Sequence, residues 1–267
     1  DCTVCCVLPG RDLWNCHSQT ERGEKLMEVL KVIDVCKSFQ GNVAVDHASL
    51  GVNEGEIMGL IGANGAGKTT LFNCISGYYH ATSGKVIYKD QEVQHKTAEK
   101  LCHMGMARTF QIAKPFGMLS VLDNVAVGGY NKAKSRKQAY EFAEQSLDLV
   151  GLIDKKENLA QLLNTGEQRK LELARALATQ PEVLLLDEVM AGLTPTESRE
   201  MVELIDKINK SGITILMIEH IMPVIMKLSH YIYVMERGKM IAEGIPDEVA
   251  NNPKVIESYL GKGLEVE

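Results

Sequence analysis

One stretch limits what this chain can become: Ile57-Met-Gly-Leu-Ile-Gly-Ala-Asn-Gly-Ala-Gly-Lys-Thr-Thr70. The apolar run ending at Ile61 predicts a buried strand, Gly62 to Gly67 a glycine-rich turn, and Lys68 onward a helix. Gly62, Gly67, Lys68 and Thr69 fill the fixed positions of G-x-x-x-x-G-K-[ST]. Glycines let successive N–H groups turn inward toward a phosphate, and the helix that follows adds the positive end of its dipole. The cradle expected here runs through Gly62, Asn64, Gly65, Ala66, Gly67, Lys68, Thr69 and Thr70. Lys68 would reach the β- and γ-phosphates of a nucleoside triphosphate, and the Thr69 hydroxyl would sit on Mg²⁺.

At 267 residues the chain suits one α/β domain with a subdomain rather than two independent domains. A net charge of −6 gives no reason to expect nucleic acid as a partner. No apolar run approaches the roughly 18 residues of a membrane span, so any membrane role is expected to come through a partner. Cys2, Cys5, Cys6 and Cys16 lie in the first stretch, and Cys36, Cys74 and Cys102 are scattered beyond it. A scattered, odd set argues for reduced thiols and a cytoplasmic setting. Cys2, Cys5, Cys16 and His17 match no zinc-finger spacing. Residues 1–26 lack sustained periodicity and carry a Pro9-Gly10 break, so they read as a non-core tail, either upstream sequence translated in frame or a disordered extension. Val4 to Leu8 has no basic segment before it, which argues against a secretory signal.

From Met27 the pattern alternates as a half-buried strand, and Val43 to Val52 reads as its partner in an antiparallel edge beside the phosphate loop. Phe39, between them, is either a hairpin side chain or a stacking face for adenine. The helix after the loop is expected to continue through Tyr79, Lys85 to Lys89 to form a strand, and Thr97 to Met104 a short helix. Gly105 to Gln111 reads as a strand whose last amide is a solvated cap or reaches the metal and the attacking water. Met118 to about Leu163 is helical in pattern, with Leu147, Val150 and Leu152 inward and Lys132, Lys134, Arg136 and Lys137 solvated. Lacking any βαβ rhythm, it reads as an all-α insertion, residues 112–165, in the α/β core.

Arg169 to Thr179 is expected to be a helix whose start presents Gly166 to an anion, or is an ordinary cap made by Asn164 or Thr165. Val183 to Glu188 reads as an apolar strand ending in two carboxylates. At the carboxyl end of a buried strand, Asp187 suits Mg²⁺ and Glu188 suits proton abstraction. Ala191 to Glu197 reads as a turn and Thr196 to Lys210 as a helix. Ile213 to Ile218 is a further strand presenting Glu219 and His220, the histidine being a surface residue or a γ-phosphate sensor. Tyr231 to Met235 and Lys239 to Glu243 pair around Arg237-Gly238, and short helices fill Pro246 to Leu260.

Taken in order, these pieces resemble the motifs of an ATP-binding cassette ATPase. Gly62 to Thr69 resembles Walker A, Gln111 the Q-loop, Asn164 to Gln168 the signature, and Leu184 to Glu188 Walker B. Ala191-Gly-Leu-Thr-Pro195 resembles the D-loop and His220 the switch histidine. The resemblance runs from Met27 to about Gly261, leaving residues 262–267 as a tail, and implies a P-loop NTPase core with an antiparallel β edge and an inserted all-α subdomain. Met104 to Gln111, Ser120 to Gly128, Gln168 to Ala178 and Asn252 to Gly261 are further similar to the cassettes that power branched-chain amino acid uptake.

The resemblance implies an ATP- and Mg²⁺-dependent ATPase. Lys68 and the loop would hold phosphates, Thr69, Asp187 and Gln111 would serve the metal, Glu188 would polarise water, and His220 would steady the transferring phosphoryl group. It implies a second cassette, identical or paralogous, whose Asn164, Thr165, Gly166 and Glu167 cover the facing site. Two membrane permease subunits would sit above, with an extracytoplasmic binding protein beyond them. That puts the chain in the cytoplasm, peripheral on the inner face of the cytoplasmic membrane. The signature departs from Leu-Ser-Gly-Gly-Gln, reading Leu163-Asn-Thr-Gly-Glu167; Val189 stands where proline is frequent, and Ile221 where aspartate is. An importer for urea or short amides, a soluble cassette ATPase of repair or translation, and a nucleotide-gated module with little turnover are the alternatives. The soluble class usually carries tandem cassettes or coiled-coil insertions, neither of which is present.

Overall fold

The computed structural model describes residues 27–110 and 115–260. β1 (Glu28–Phe39) and β2 (Asn42–Asn53) pair antiparallel across a Gln40-Gly41 turn. Both turn residues have positive φ, 47° and 89°, as a tight hairpin matched to strand twist requires. β3 (Ile57–Ile61) is buried at every position and feeds the glycine loop, and α1 (Lys68–Ile75) leaves it. The helix expected to reach Tyr79 therefore stops earlier. Gly77 follows its cap at φ 71°, and a Cβ there would lie 2.6 Å from the Lys96 carbonyl oxygen, so the chain turns where only glycine fits.

β4 (Ser83–Tyr88) and β5 (Gln91–Glu92) precede α2 (Ala98–Met104) and β6 (Met106–Arg108). The strand expected over Gly105 to Gln111 is thus shorter: Gly105 is the left-handed cap of α2, and regular pairing ends at Arg108. Gln111 and residues 112–114 lie outside the described residues, as do residues 1–26 and 261–267 with the amino-terminal cysteines and His17.

Between β6 and the next strand come α3 (Val121–Gly129), α4 (Arg136–Leu149), two short 3₁₀ turns, and α5 (Thr165–Ala178). Leu147, Val150 and Leu152 are buried, and Lys132, Lys134, Arg136 and Lys137 are exposed, as the pattern predicts. β7 (Val183–Asp187), α6 (Pro195–Lys210), β8 (Thr214–Ile218), α7 (Met222–Leu228), β9 (Tyr231–Glu236), β10 (Lys239–Gly244), α8 (Pro246–Ala250) and α9 (Pro253–Leu260) complete the described chain.

Two sheets form. One runs β10-β9-β3-β8-β7-β6, with β3, β6, β7, β8 and β9 parallel and β10 antiparallel at the edge. The other, β2-β1-β4-β5, is antiparallel. The antiparallel edge expected from the sequence is therefore a sheet of its own. β1 already has β2 on one side and β4 on the other, so it meets the parallel sheet through side chains instead.

Continuous apolar strands conceal an alternation that assigns each residue to one face. Ile57 and Ile61, Leu184 and Leu186, and Ile215 and Met217 pack in the core shared with α3 to α7. Met58 and Leu60, Val183 and Leu185, and Leu216 and Ile218 pack in the core shared with α1 and the antiparallel sheet. Because β3, β7 and β8 are parallel, the phosphate loop, Asp187-Glu188 and Glu219-His220 all emerge at one end of the sheet, where α/β folds place their ligands.

Candidate active site

The phosphate loop is pressed against two other segments. A Cβ on Gly62 would lie 2.1 Å from the Met235 carbonyl oxygen, and one on Gly67 would lie 2.4 Å from that of Ala44. Gly67 has φ 99° and makes no side-chain cap, so the first N–H groups of α1 are left for a ligand. Lys68, only 6% exposed, curls back over the loop and donates to the carbonyl oxygens of Gly62 at 2.7 Å and Ala63 at 3.1 Å. Burial draws its pKa down, while the nearby Glu188 and Asp187 carboxylates pull the other way. Gly62 through Thr70 line a cavity of about 900 Å³ together with Asn42 to Ala44, Glu188, His220, Arg237, Gly238 and Tyr259.

Asp187 ends β7 almost fully buried, at 1% exposure. Its Oδ2 accepts a hydrogen bond from Arg108 Nη2 at 2.7 Å, and its backbone N–H donates to Thr109 Oγ1 at 3.2 Å. Burial pushes its pKa up and the Arg108 guanidinium opposes that. Asp187 Oδ1 is buried and has no hydrogen-bond partner among the described residues. Such an oxygen is an exception that calls for a cause. Thr69 and Asp187 border the same second cavity, about 730 Å³, between α1, β6, α3 and α5. A hydroxyl and a free carboxylate oxygen are the hard donors Mg²⁺ takes, so the residues present fit that ion.

Glu188 has φ 49°, the left-handed region where a branched-free side chain is still strained, and its N–H donates to the Ile218 carbonyl oxygen at 3.0 Å. That turn swings its side chain from the sheet into the phosphate cavity. Glu219, read from the sequence as presented beside His220, points inward instead. It is 0% exposed and accepts from the Met190 N–H at 3.0 Å, holding the loop after Glu188, while exposed His220 borders the phosphate cavity.

The signature-like segment is a helix start of a different kind. Asn164 is the cap: its Oδ1 accepts from the Glu167 N–H at 2.9 Å, and its own N–H donates to Glu167 Oε2 at 3.2 Å. Of the two capping residues left open by the sequence, the structure uses Asn164, and α5 begins at Thr165 rather than Arg169. The spacing of Asn164 and Glu167 is a capping-box pattern and was the signal for the earlier start. Glu167 is also paired with Lys155. Gly166 is buried, and a Cβ there would lie 2.5 Å from Glu197 Oε1. Glu197 belongs to the capping box with which Thr194 starts α6, so that helix likewise begins before the expected Thr196. Asn164, Thr165, Gly166 and Glu167 do not border their own chain's phosphate cavity.

Phe39 stands at the end of β1, 40% exposed, with its ring edge-on to Tyr79 at 5.2 Å and Lys37 Nζ 4.9 Å from its centre. It does not line the phosphate cavity; Asn42, across the hairpin turn, does. Two site residues carried no sequence signal. Tyr259 of α9 borders the phosphate loop, and its phenol, raised in pKa by burial, faces the Gly62 backbone. Arg108 holds Asp187. Both meetings join distant segments, which no local spacing announces.

Residues 45–191 match the family described as ABC transporter, and residues 239–265 match one described as branched-chain amino acid ATP-binding cassette transporter. The high-affinity branched-chain amino acid transport ATP-binding protein LivG of Escherichia coli (strain K12) is 38% identical over 250 residues, covering 88% of this chain and 98% of that protein. A probable LivG of Archaeoglobus fulgidus is 35% identical over 247 residues, covering 88% and 96%. The crystal structure of a nucleotide-free ATP-binding cassette from an ABC transporter covers 88% of this chain and 100% of its own, with a TM-score of 0.81 at 31% identity. Among the described residues no helix is long and apolar enough to cross a membrane. With phosphate loop, paired carboxylates and histidine brought to one sheet end, and with relatives matched over nearly their whole length, this chain belongs to the ABC transporter family as one of its ATP-hydrolysing cassettes.

Proposed function

We propose that this cassette energises the uptake of branched-chain amino acids across the cytoplasmic membrane. The observation that carries the reading is the match of residues 239–265, beyond the general cassette, to the branched-chain amino acid transporter family. Lys68 and the N–H groups from Gly62 to Thr70 hold the phosphates, and Phe39 stacks on the adenine. Thr69 and Asp187, with Gln111, hold Mg²⁺, which when bound neutralises charge on the phosphates. Glu188 takes the proton of the attacking water and His220 donates to the γ-phosphate oxygens. The work is mostly positioning and charge stabilisation by groups already in place.

Since Asn164 to Glu167 do not reach their own chain's phosphate cavity, the signature serves the site of a facing cassette, a copy or a paralogue. The pair works at the inner face of the membrane on two permease subunits, fed from outside by a substrate-binding protein. Nucleic acid has no part in it.

The test is reconstitution with the permease pair in liposomes, using parent and Glu188→Gln chains. Leucine, isoleucine or valine uptake driven by ATP is expected for the parent. The variant should bind ATP, with hydrolysis reduced at least about 100-fold, and uptake lost. ATP-driven transport of an unrelated solute but none of these amino acids would overturn the substrate assignment. Parental hydrolysis by Glu188→Gln would overturn the role of Glu188.

A further inference from the structure

The Mg²⁺ site needs two ligands from separate elements, Thr69 from α1 and Asp187 from β7. One side chain grips both elements. Arg108, its side chain 10% exposed, donates from Nη2 to Asp187 Oδ2 at 2.7 Å and from Nη1 to Ser76 Oγ at 2.9 Å and to Asn73 Oδ1. The rings of Phe72 and Phe110 stand 5.6 and 5.3 Å from its guanidinium carbon, within cation–π range. Asn73 lies four residues after Thr69 in α1, one helical turn along the same face. The guanidinium therefore spans from the helix that offers the hydroxyl ligand to the strand that offers the carboxylate.

We propose that Arg108 is a positioning residue for the metal, clamping α1 to the end of β7 so that Thr69 Oγ1 and Asp187 Oδ1 face one cation. This rests on the assignment of Thr69 and Asp187 as metal ligands. The clamp also decides which oxygen is used. Oδ2 is occupied by Arg108, and Oδ1 is the buried oxygen without a partner among the described residues. A carboxylate's terminal torsion is soft, and Mg²⁺ demands near-ideal octahedral geometry. A carboxylate free to rotate is thus a poorer ligand than one pinned by its second oxygen. Two effects of Arg108 oppose each other: its charge repels a cation, and its fork orders the ligands. The clamp requires ordering to win. Lysine keeps the charge but lacks the rigid fork that reaches both elements, so Arg108→Lys separates the two effects.

The experiment measures Mn²⁺ binding to the ADP complex by electron paramagnetic resonance, with nucleotide affinity in EDTA measured alongside. Arg108→Lys should lower Mn²⁺ affinity about tenfold, the scale of losses when a ligand's supporting partner is removed. Asn73→Ala leaves the Arg108–Asp187 pair in place and should cause a smaller loss in the same direction. Nucleotide affinity in EDTA should not change in either, which a general loosening of the fold would not allow. Mn²⁺ affinity that is unchanged or raised in Arg108→Lys, while Asp187→Asn lowers it, overturns the clamp and leaves the metal site standing. Unchanged affinity in Asp187→Asn overturns the metal assignment, and the clamp with it.

Discussion

The starts of α1 and α5 are both helix N-termini with N–H groups to satisfy, and they are finished in opposite ways. At α1 the cap is Gly67, with a left-handed backbone and no side chain to satisfy the first N–H groups. At α5 the cap is Asn164, and with Glu167 it closes a reciprocal capping box, so that end is satisfied from within the chain. The first is an anion site that the protein alone leaves incomplete; the second is a stable helix end that touches the start of α6 through Gly166 and Glu197. A phosphate bound at α1 supplies what the chain lacks. At α5 it must be gained in addition to a cap that is already made, which suits a segment that engages only when another cassette closes upon it.

Five substitutions sharpen or break this contrast. Gly67→Ala should cost about 4 kcal/mol, since it adds left-handed strain to a Cβ clash with the Ala44 backbone. Gly166→Ala should cost only about 1 kcal/mol, because the atom it meets is a side-chain carboxylate able to swing. Urea midpoints on the two variants check this, and equal costs would break the contrast. Lys68→Ala should weaken ATP binding about 100-fold through loss of its charged hydrogen bonds to phosphate, read by calorimetry. No substitution of Asn164 should come near that in the isolated chain. Asn164→Ala should instead remove about 1 kcal/mol of stability, a fall in Tm of roughly 2–4 °C, with ATP affinity unmoved. Phe39→Ala should weaken ATP binding by an effect on the order of 1 kcal/mol, and an unchanged affinity would make Phe39 only a packing partner of Tyr79.

What could be read from the chain, and what could not, divides by distance along it. The phosphate loop is legible because its residues act on one another within a few positions. The same holds for β7 and β8, and for the hairpin about Arg237-Gly238. Element ends differ from the expectation where local backbone or capping outweighs periodicity: Gly77 ends α1 early, Gly105 caps α2 where β6 was expected to begin, and the Asn164–Glu167 capping box starts α5 early. Glu219 and His220 both follow β8, yet one turns in against the loop after Glu188 and the other borders the cavity. No local pattern singles out Arg108 within Met104 to Gln111, or Tyr259 within Asn252 to Gly261. Their roles come from meeting Asp187 and the Gly62 loop across the fold, and no periodicity of 2 or 3.6 carries that information.

β7 deserves a different description from a scaffold strand. Leu184 and Leu186 belong to one core and Val183 and Leu185 to the other, so the strand that ends at Asp187 is a wall shared by two rooms. Interiors are close-packed and transmit small displacements. Inherited variation at these four positions is therefore tested twice, once by how well either room refills and once by where the carboxylate comes to rest. Drift in the two cores is not independent, and a replacement accepted on one face narrows what the lineage can later accept on the other.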